Sequence, residues 1–230
     1  MAGFHTHVAT STTIGAVYGT VGFMAFDQPL TTSILAAGLC GVAGMIPDLD
    51  GDTGVPVREV LAAVAAVIPV LMLNCLETWG LGRESIVLAV AGIYLFVRFG
   101  IGGLFRKFTR HRGMWHSIPA AINVALITFL ITSYQEMDAR IFKSAAVFLG
   151  FLSHLILDEI YSFDWKRFRM KESHGTALKL FAFNCPVGTV AAYGLLCLLC
   201  LSGYQSWRQE IAHRTPSTGL VPVSGAGAVE

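Results

Sequence analysis

Seven side chains of metal-binding type stand out in this otherwise apolar chain: His7, Asp48, Asp50, His111, His116, His154 and Asp158. They fall in four short polar clusters, Phe4 to His7, Met45 to Asp52, Arg110 to Ser117 and Ser153 to Asp158. Neutral imidazoles and carboxylates together suit zinc, manganese or iron, whereas magnesium and calcium favour all-oxygen sites. His154 and Asp158 are four residues apart, so on a helix they project from one face about one turn apart. They also lie inside an apolar run, where ionisable groups are costly and usually functional. Seven candidates exceed the three or four protein ligands of a catalytic zinc. The surplus implies outer partners or a site with more than one metal.

Each cluster also has a plainer reading. His5 and His7 suit an interfacial position, and Pro47 with the aspartates suits a helix stop and turn. Arg110 and Arg112 suit a topology anchor, and His154 with Asp158 a structural hydrogen bond. Asp48, Asp50, Asp52, Val55 and Glu59 fall at positions 1, 3, 5, 8 and 12 of a calcium loop. Thr53 stands where that loop requires glycine, which weighs against calcium.

The elements that must carry these clusters are membrane helices. The chain is 54% hydrophobic and 13% charged, well below the roughly 25% charge of a soluble domain. Seven stretches approach the ~20 apolar residues of a span: Val8 to Phe26, Leu30 to Ile46, Val57 to Leu76, Glu84 to Leu104, Ser117 to Tyr134, Ile141 to Tyr161 and Ala182 to Tyr204. The expected fold is an all-α, polytopic transmembrane helical bundle of six or seven spans over residues 1–204. Residues 205–230 form a polar tail that reads as disordered from its Pro, Ser, Thr and Gly content. No Lys or Arg precedes Arg58, so the first stretch lacks the basic start of a secretory signal and is expected to be retained. Recurring glycines, Gly15, Gly19 and Gly22, then Gly38, Gly41 and Gly44, suit close helix crossings. The five cysteines are odd in number and lie in or beside apolar runs, which argues against a disulfide framework. Cys197 and Cys200 read as packing residues rather than a redox pair.

With seven spans, all four clusters fall on one side of the bilayer. That side collects eleven of the 16 basic residues, which places it in the cytoplasm by the positive-inside rule. A net charge of +1 gives no electrostatic case for nucleic acid as a partner.

At these residues the chain resembles the YdjM-like family of membrane-bound metal-dependent hydrolases. The matching pieces are His7, the Pro47-Asp48-Leu49-Asp50 loop, the His111-to-Ser117 segment and the Ser153-to-Asp158 segment, in family order. The family is in turn distantly similar to zinc-dependent phospholipases C and P1-type nucleases. The chain departs from the family pattern after Asp158, where many relatives have a Thr-Pro-Gly turn and it reads Glu159-Ile160-Tyr161. The resemblance implies a hydrolase of the plasma (inner) membrane, whose site the basic count is expected to place on the cytoplasmic side. The expected substrate is a phosphoester of a lipid or lipid-linked molecule. His7, Asp48, His111, His116, His154 and Asp158 would hold a divalent metal, zinc first, with manganese or iron as alternatives. Asp50 would be a further ligand or the base for water, and Arg110 and Arg112 would clamp phosphate. Two other classes stay open. An ion or metal transporter needs ionisable groups on both sides of the midplane, and only His154 approaches that depth. A non-catalytic scaffold needs a closed metal site. Oligomeric state is not encoded in any pattern found.

Overall fold

Each apolar stretch forms helix in the computed structural model, which describes residues 3–50, 55–101, 103, 114–164, 169–170, 178–181 and 186–214. Helix α1 covers Phe4–Ala25 and α2 covers Leu30–Ala43, followed by a 3-10 turn at Ile46–Asp50. Helix α3 covers Val55–Leu71 and α4 covers Leu73–Thr78, the break following Pro69, whose ring cannot donate to the helix ladder. Helix α5 covers Arg83–Leu95 and runs on as a π-helical turn, Phe96–Ile101. Helices α6, Ile118–Ile131, α7, Met137–Ser162, and α8, Pro186–Arg214, complete the bundle. The fold is all-helical apart from a two-residue antiparallel ribbon, in which Phe163 pairs with Met170 and Asp164 with Arg169.

Among the described residues, four helical runs are long and apolar enough to cross a membrane: Val57–Thr78, Arg83–Ile101, Met137–Ser162 and Pro186–Ala212. The expectation of six or seven spans therefore exceeds what the described helices supply. Helices α2 and α6 are apolar but have 14 residues each, about 21 Å at ~1.5 Å per residue against a ~30 Å hydrocarbon core. Helix α1 has 22 residues, but its hydroxyls and glycines dilute its apolarity. At the other end, α8 continues ten residues past Tyr204 to Arg214, so the tail does not begin at 205. Gln205 to Ala212 contains no Pro or Gly to stop a helix, and Ser206 Oγ accepts a hydrogen bond from Arg140 at 2.7 Å. The rest of the tail lies outside the described residues.

Helix α7 is the axis of the molecule. Its membrane window is 56% buried, against 6% in α5 and in α8. Helices α1, α2 and α6 pack around it. Two close crossings depend on glycine. A Cβ at Gly15 would collide with the Ala37 carbonyl of α2, and one at Gly150 with the Cys40 carbonyl. These contacts draw α1, α2 and α7 together at backbone distance. Tyr18 then stacks on Phe142 at 4.5 Å and donates to the Phe142 carbonyl at 2.9 Å. Not every glycine of the expected pattern serves this purpose, since Gly38 faces open space. Between α1 and α2, Asp27 takes a left-handed conformation (φ 49°) that turns the chain, one that Asp tolerates better than most side chains. Cys40, Cys75, Cys197 and Cys200 are free thiols, and Cys197 and Cys200 lie exposed on α8 instead of packing inside.

Candidate metal centre

The glycine crossings bring one end of α1, α2 and α7 together, and the candidate ligands lie there. His7 sits in the first turns of α1, Asp48 in the 3-10 turn after α2, His116 just before α6, and His154 and Asp158 near the end of α7. His7, His116, His154 and Asp158 are all nearly inaccessible, at 3%, 2%, 1% and 3% exposure. Asp48 is the open side of the cluster, its side chain 26% exposed.

The residue between α2 and the 3-10 turn orients the central histidine. His154 Nδ1 lies 2.8 Å from the Gly44 carbonyl oxygen. A carbonyl only accepts, so Nδ1 must carry the proton, which leaves the Nε2 lone pair directed into the cluster. Nε2 is 3.6 Å from Asp48 Oδ1 and 3.8 Å from Asp158 Oδ2. Asp158 Oδ1 is 3.3 Å from His7 Nε2. The His7 ring stacks on His154 with centroids 3.7 Å apart, and His116 meets His154 edge-on at 5.7 Å.

The contacts of His154 Nε2 with the two carboxylates are too long for hydrogen bonds. Among the described residues, His154 Nε2, Asp158 Oδ1 and His7 Nδ1 are fully buried with no hydrogen-bond partner. Leaving such groups unmade costs about 1–3 kcal/mol each. The spacing is that of ligands around an ion. Two atoms bound at ~2.0–2.1 Å to a tetrahedral zinc are roughly 3.3–3.4 Å apart. The potential ligand atoms of His7, His154 and Asp158 lie within 4.8 Å of one another, as do those of Asp48, His116 and His154. His154 belongs to both groups but has a single lone pair to offer, so the two groups describe one centre around Nε2. The Asp158 carboxylate, with neutral imidazoles about it, places a negative charge in a buried pocket, which a divalent cation would compensate. The residues fit a metal ion.

Three local devices hold the ligand-bearing segments. Trp115 Nε1 donates to the Ile46 carbonyl at 3.0 Å, and its ring lies edge-on to Phe151 at 6.2 Å. This ties the segment carrying His116 to the turn carrying Asp48 and to α7. Ser117 caps α6, its Oγ accepting from Ala120 N at 3.3 Å while it donates to the Met114 carbonyl. The Ser of the His-Ser pair is therefore the cap that starts the helix beside the ligand. Leu49, Val57, Val60 and Leu61 form a small core beneath the 3-10 turn, with Phe4 and Trp115 against it.

Of the expected site residues, the structure brings together His7, Asp48, His116, His154 and Asp158. Asp50 lies in the same 3-10 turn, but its side chain is outside the described residues, as are Arg110, His111 and Arg112. His5 is exposed and turned against Phe4, apart from the cluster. Glu59 is exposed and pairs with Arg58, away from the calcium-loop role. Gly44 and Trp115 were not expected as site residues. A backbone carbonyl acceptor leaves no side-chain signal, and a tryptophan beside a histidine reads as packing. No curated protein and no solved structure matches the chain. The sequence profile of the YdjM inner membrane protein family matches residues 1–212, and the chain belongs to that family of membrane proteins.

Proposed function

We propose that the protein is a membrane-bound, metal-dependent hydrolase that cleaves a phosphoester of a lipid or lipid-linked substrate. The observation that carries this reading is the convergence of His7, Asp48, His116, His154 and Asp158, with the His154 Nε2 lone pair turned into the cluster by the Gly44 carbonyl. A divalent ion, zinc first, supplies Lewis acidity, lowering the pKa of a water and polarising a phosphoryl oxygen. His7, His154 and Asp158 hold it from the buried side, and Asp48 from the accessible side, where water and substrate enter. Asp50 takes the water's proton. Arg110 and Arg112, which flank His111, bind the phosphate oxygens. A metal held by imidazoles and carboxylates suits phosphoester chemistry, and a site at the end of the bundle suits a substrate whose tail stays in the bilayer. The excess of basic residues near that end supports a cytoplasmic orientation for it.

The transport reading gains one observation, since Arg140 and Lys143 are also buried on α7, toward its other end. Both are already committed to protein partners, Arg140 to the Phe129 carbonyl and Ser206, and Lys143 to Gln135. They are better read as anchors than as a path.

Purified protein in detergent is expected to hold about one zinc per chain and to release phosphate or a phosphorylated headgroup from a panel of phospholipids and isoprenyl phosphates. A chelator abolishes the release and zinc restores it. Metal at full occupancy with no turnover across the panel, or turnover indifferent to chelation, would sink the reading.

A further inference from the structure

The site end of the bundle opens onto an apolar slot that the chemistry above does not use. The slot has a cavity volume of about 80 Å³, is open on one side, and lies between α3 and α6, which share little contact, with α2 and α7 as its floor. Val64 and Leu71 mark its extent on α3, Val124 and Ile131 on α6. Each pair is two helical turns apart, so the slot runs about 10 Å along the bundle axis at ~1.5 Å per residue. Leu39, Ala43, Leu71 and Val147 pack together at its base. The polar side chain on its wall, Thr128, is satisfied within its own helix, its Oγ1 donating to the Val124 carbonyl at 3.0 Å. Nothing in the lining asks for a polar ligand.

Both ends of the slot have a meaning. At its outer side Ile127 is 40% exposed on a helix flanked by membrane spans, so the slot faces hydrocarbon. At its inner end lies Ile46, which opens the 3-10 turn that holds Asp48 and whose carbonyl accepts the Trp115 indole. Ile46 packs against the core on both sides of that turn. From Val147, seven residues before His154 on α7, the slot thus leads up to the metal centre.

We infer that this slot seats one acyl chain of a glycerophospholipid, with its phosphate drawn to the Asp48 side of the metal centre. The inference rests on the hydrolase reading for its purpose but not for its test. A free headgroup phosphate would gain nothing from such a slot. A chain lying in it is fixed at the depth that puts the ester at Asp48, and this positioning selects lipids over soluble phosphoesters.

The test uses the full chain in nanodiscs containing phosphatidic acid with a diazirine at mid-chain. After photolysis, adducts are mapped by mass spectrometry. Label is expected to concentrate on the α3 and α6 residues lining the slot. Val67→Trp, which fills the slot, and Ile127→Trp, which blocks its exposed mouth without repacking the base, should each lower that label at least fivefold with zinc content unchanged. Should Val67→Trp fail to fold, Ile127→Trp alone decides. Label spread over the outward faces of α5 and α8 and indifferent to Ile127→Trp overturns the inference, as does a second copy cross-linked through Ile127→Cys in place of lipid. Labelling is read without turnover, so the two readings fail separately. A labelled slot with no phosphoester cleaved removes the hydrolase. Cleavage that stays equal for long-chain and short-chain phosphatidic acid, in the parent and in Ile127→Trp, removes the slot.

Discussion

Helix α7 buries ionisable groups at both its ends, and the two ends treat them differently. Toward its start, Arg140 is 1% exposed and saturated. Its Nε and Nη2 donate to the Phe129 carbonyl at 3.3 Å, Nη2 also to Ser206 Oγ at 2.7 Å, and the guanidinium lies 4.0 Å over the Phe129 ring. Lys143 donates to Gln135 beside it. Near its finish, His154 and Asp158 are as deeply buried, yet His154 Nε2 stays 3.8 Å from Asp158 Oδ2, and among the described residues neither Nε2 nor Asp158 Oδ1 has a hydrogen-bond partner. A buried charge must be compensated or it destabilises the fold. The first end supplies that compensation from protein, cross-linking α6, α7 and α8. The second is arranged for it to come from a cation. Burial alone therefore does not distinguish structure from function; whether the polar atoms have already met their partners does.

The largest effect that tests this contrast is Asp158→Asn. The change keeps the shape but removes the charge that a divalent ion needs, so the purified protein should lose its metal and any hydrolytic activity together while still inserting. Asp164→Asn, six residues on, should retain both. Equal metal content in the two variants would end the assignment of Asp158 as a ligand. Next in size is the effect of pH. Imidazoles bind metal only when neutral, so protons compete with the ion. Occupancy should therefore fall progressively as the pH is lowered. Occupancy that does not respond to acidification at all, measured by metal analysis after dialysis, would remove the histidines from the coordination sphere.

At the other end of α7, Arg140→Gln should leave metal content untouched and lower stability. Hydrogen bonds between membrane helices are worth about 1–2 kcal/mol, and the expected fall in thermal midpoint is correspondingly modest. Loss of metal in this variant, with the protein still folded, would mean that the two ends are coupled and the contrast is misplaced.

Much of this was legible from residue types. Uninterrupted apolar length marked each helix, and a histidine four residues from an aspartate inside such a run marked the centre of the site. The convergence of His7, Asp48 and His116 on that pair followed from alternating loops, because elements joined in sequence order by antiparallel helices return to the same end. What hydropathy does not encode is where a helix stops. Helices α2 and α6 end after 14 residues at Gly44 and Thr132, and the apolar residues beyond α2 belong to a 3-10 turn instead. The anchoring role of Arg140 was equally hidden. A lone arginine at a span end reads as a topology signal until Ser206, 66 residues on, is placed against it. Gly44 looked like one packing glycine among several. A Cβ there would strike Ser11, but its more important feature is a carbonyl, which every residue has.

The smallest effect expected is at Trp115, and it tests how the ligand-bearing turns are held at the second end. Trp115→Phe keeps an aromatic ring against Phe151 and removes the indole N–H that reaches the Ile46 carbonyl. One such bond contributes about 1 kcal/mol, and it joins the turn of Asp48 to the segment of His116. If the centre is preorganised by these ties, losing one should let Asp48 and His116 drift while His7, His154 and Asp158, fixed on α1 and α7, stay in place. Zinc should then still bind, with affinity reduced by roughly three- to tenfold, the range in which a bond of that size acts, and the loss should show as faster release to a chelator. An unchanged release rate would show that the Leu49–Val57–Val60 core alone holds the turn. Complete loss of zinc would show the opposite, that Asp48 and His116 bear most of the binding, and would move the centre of the site from α7 to the loops.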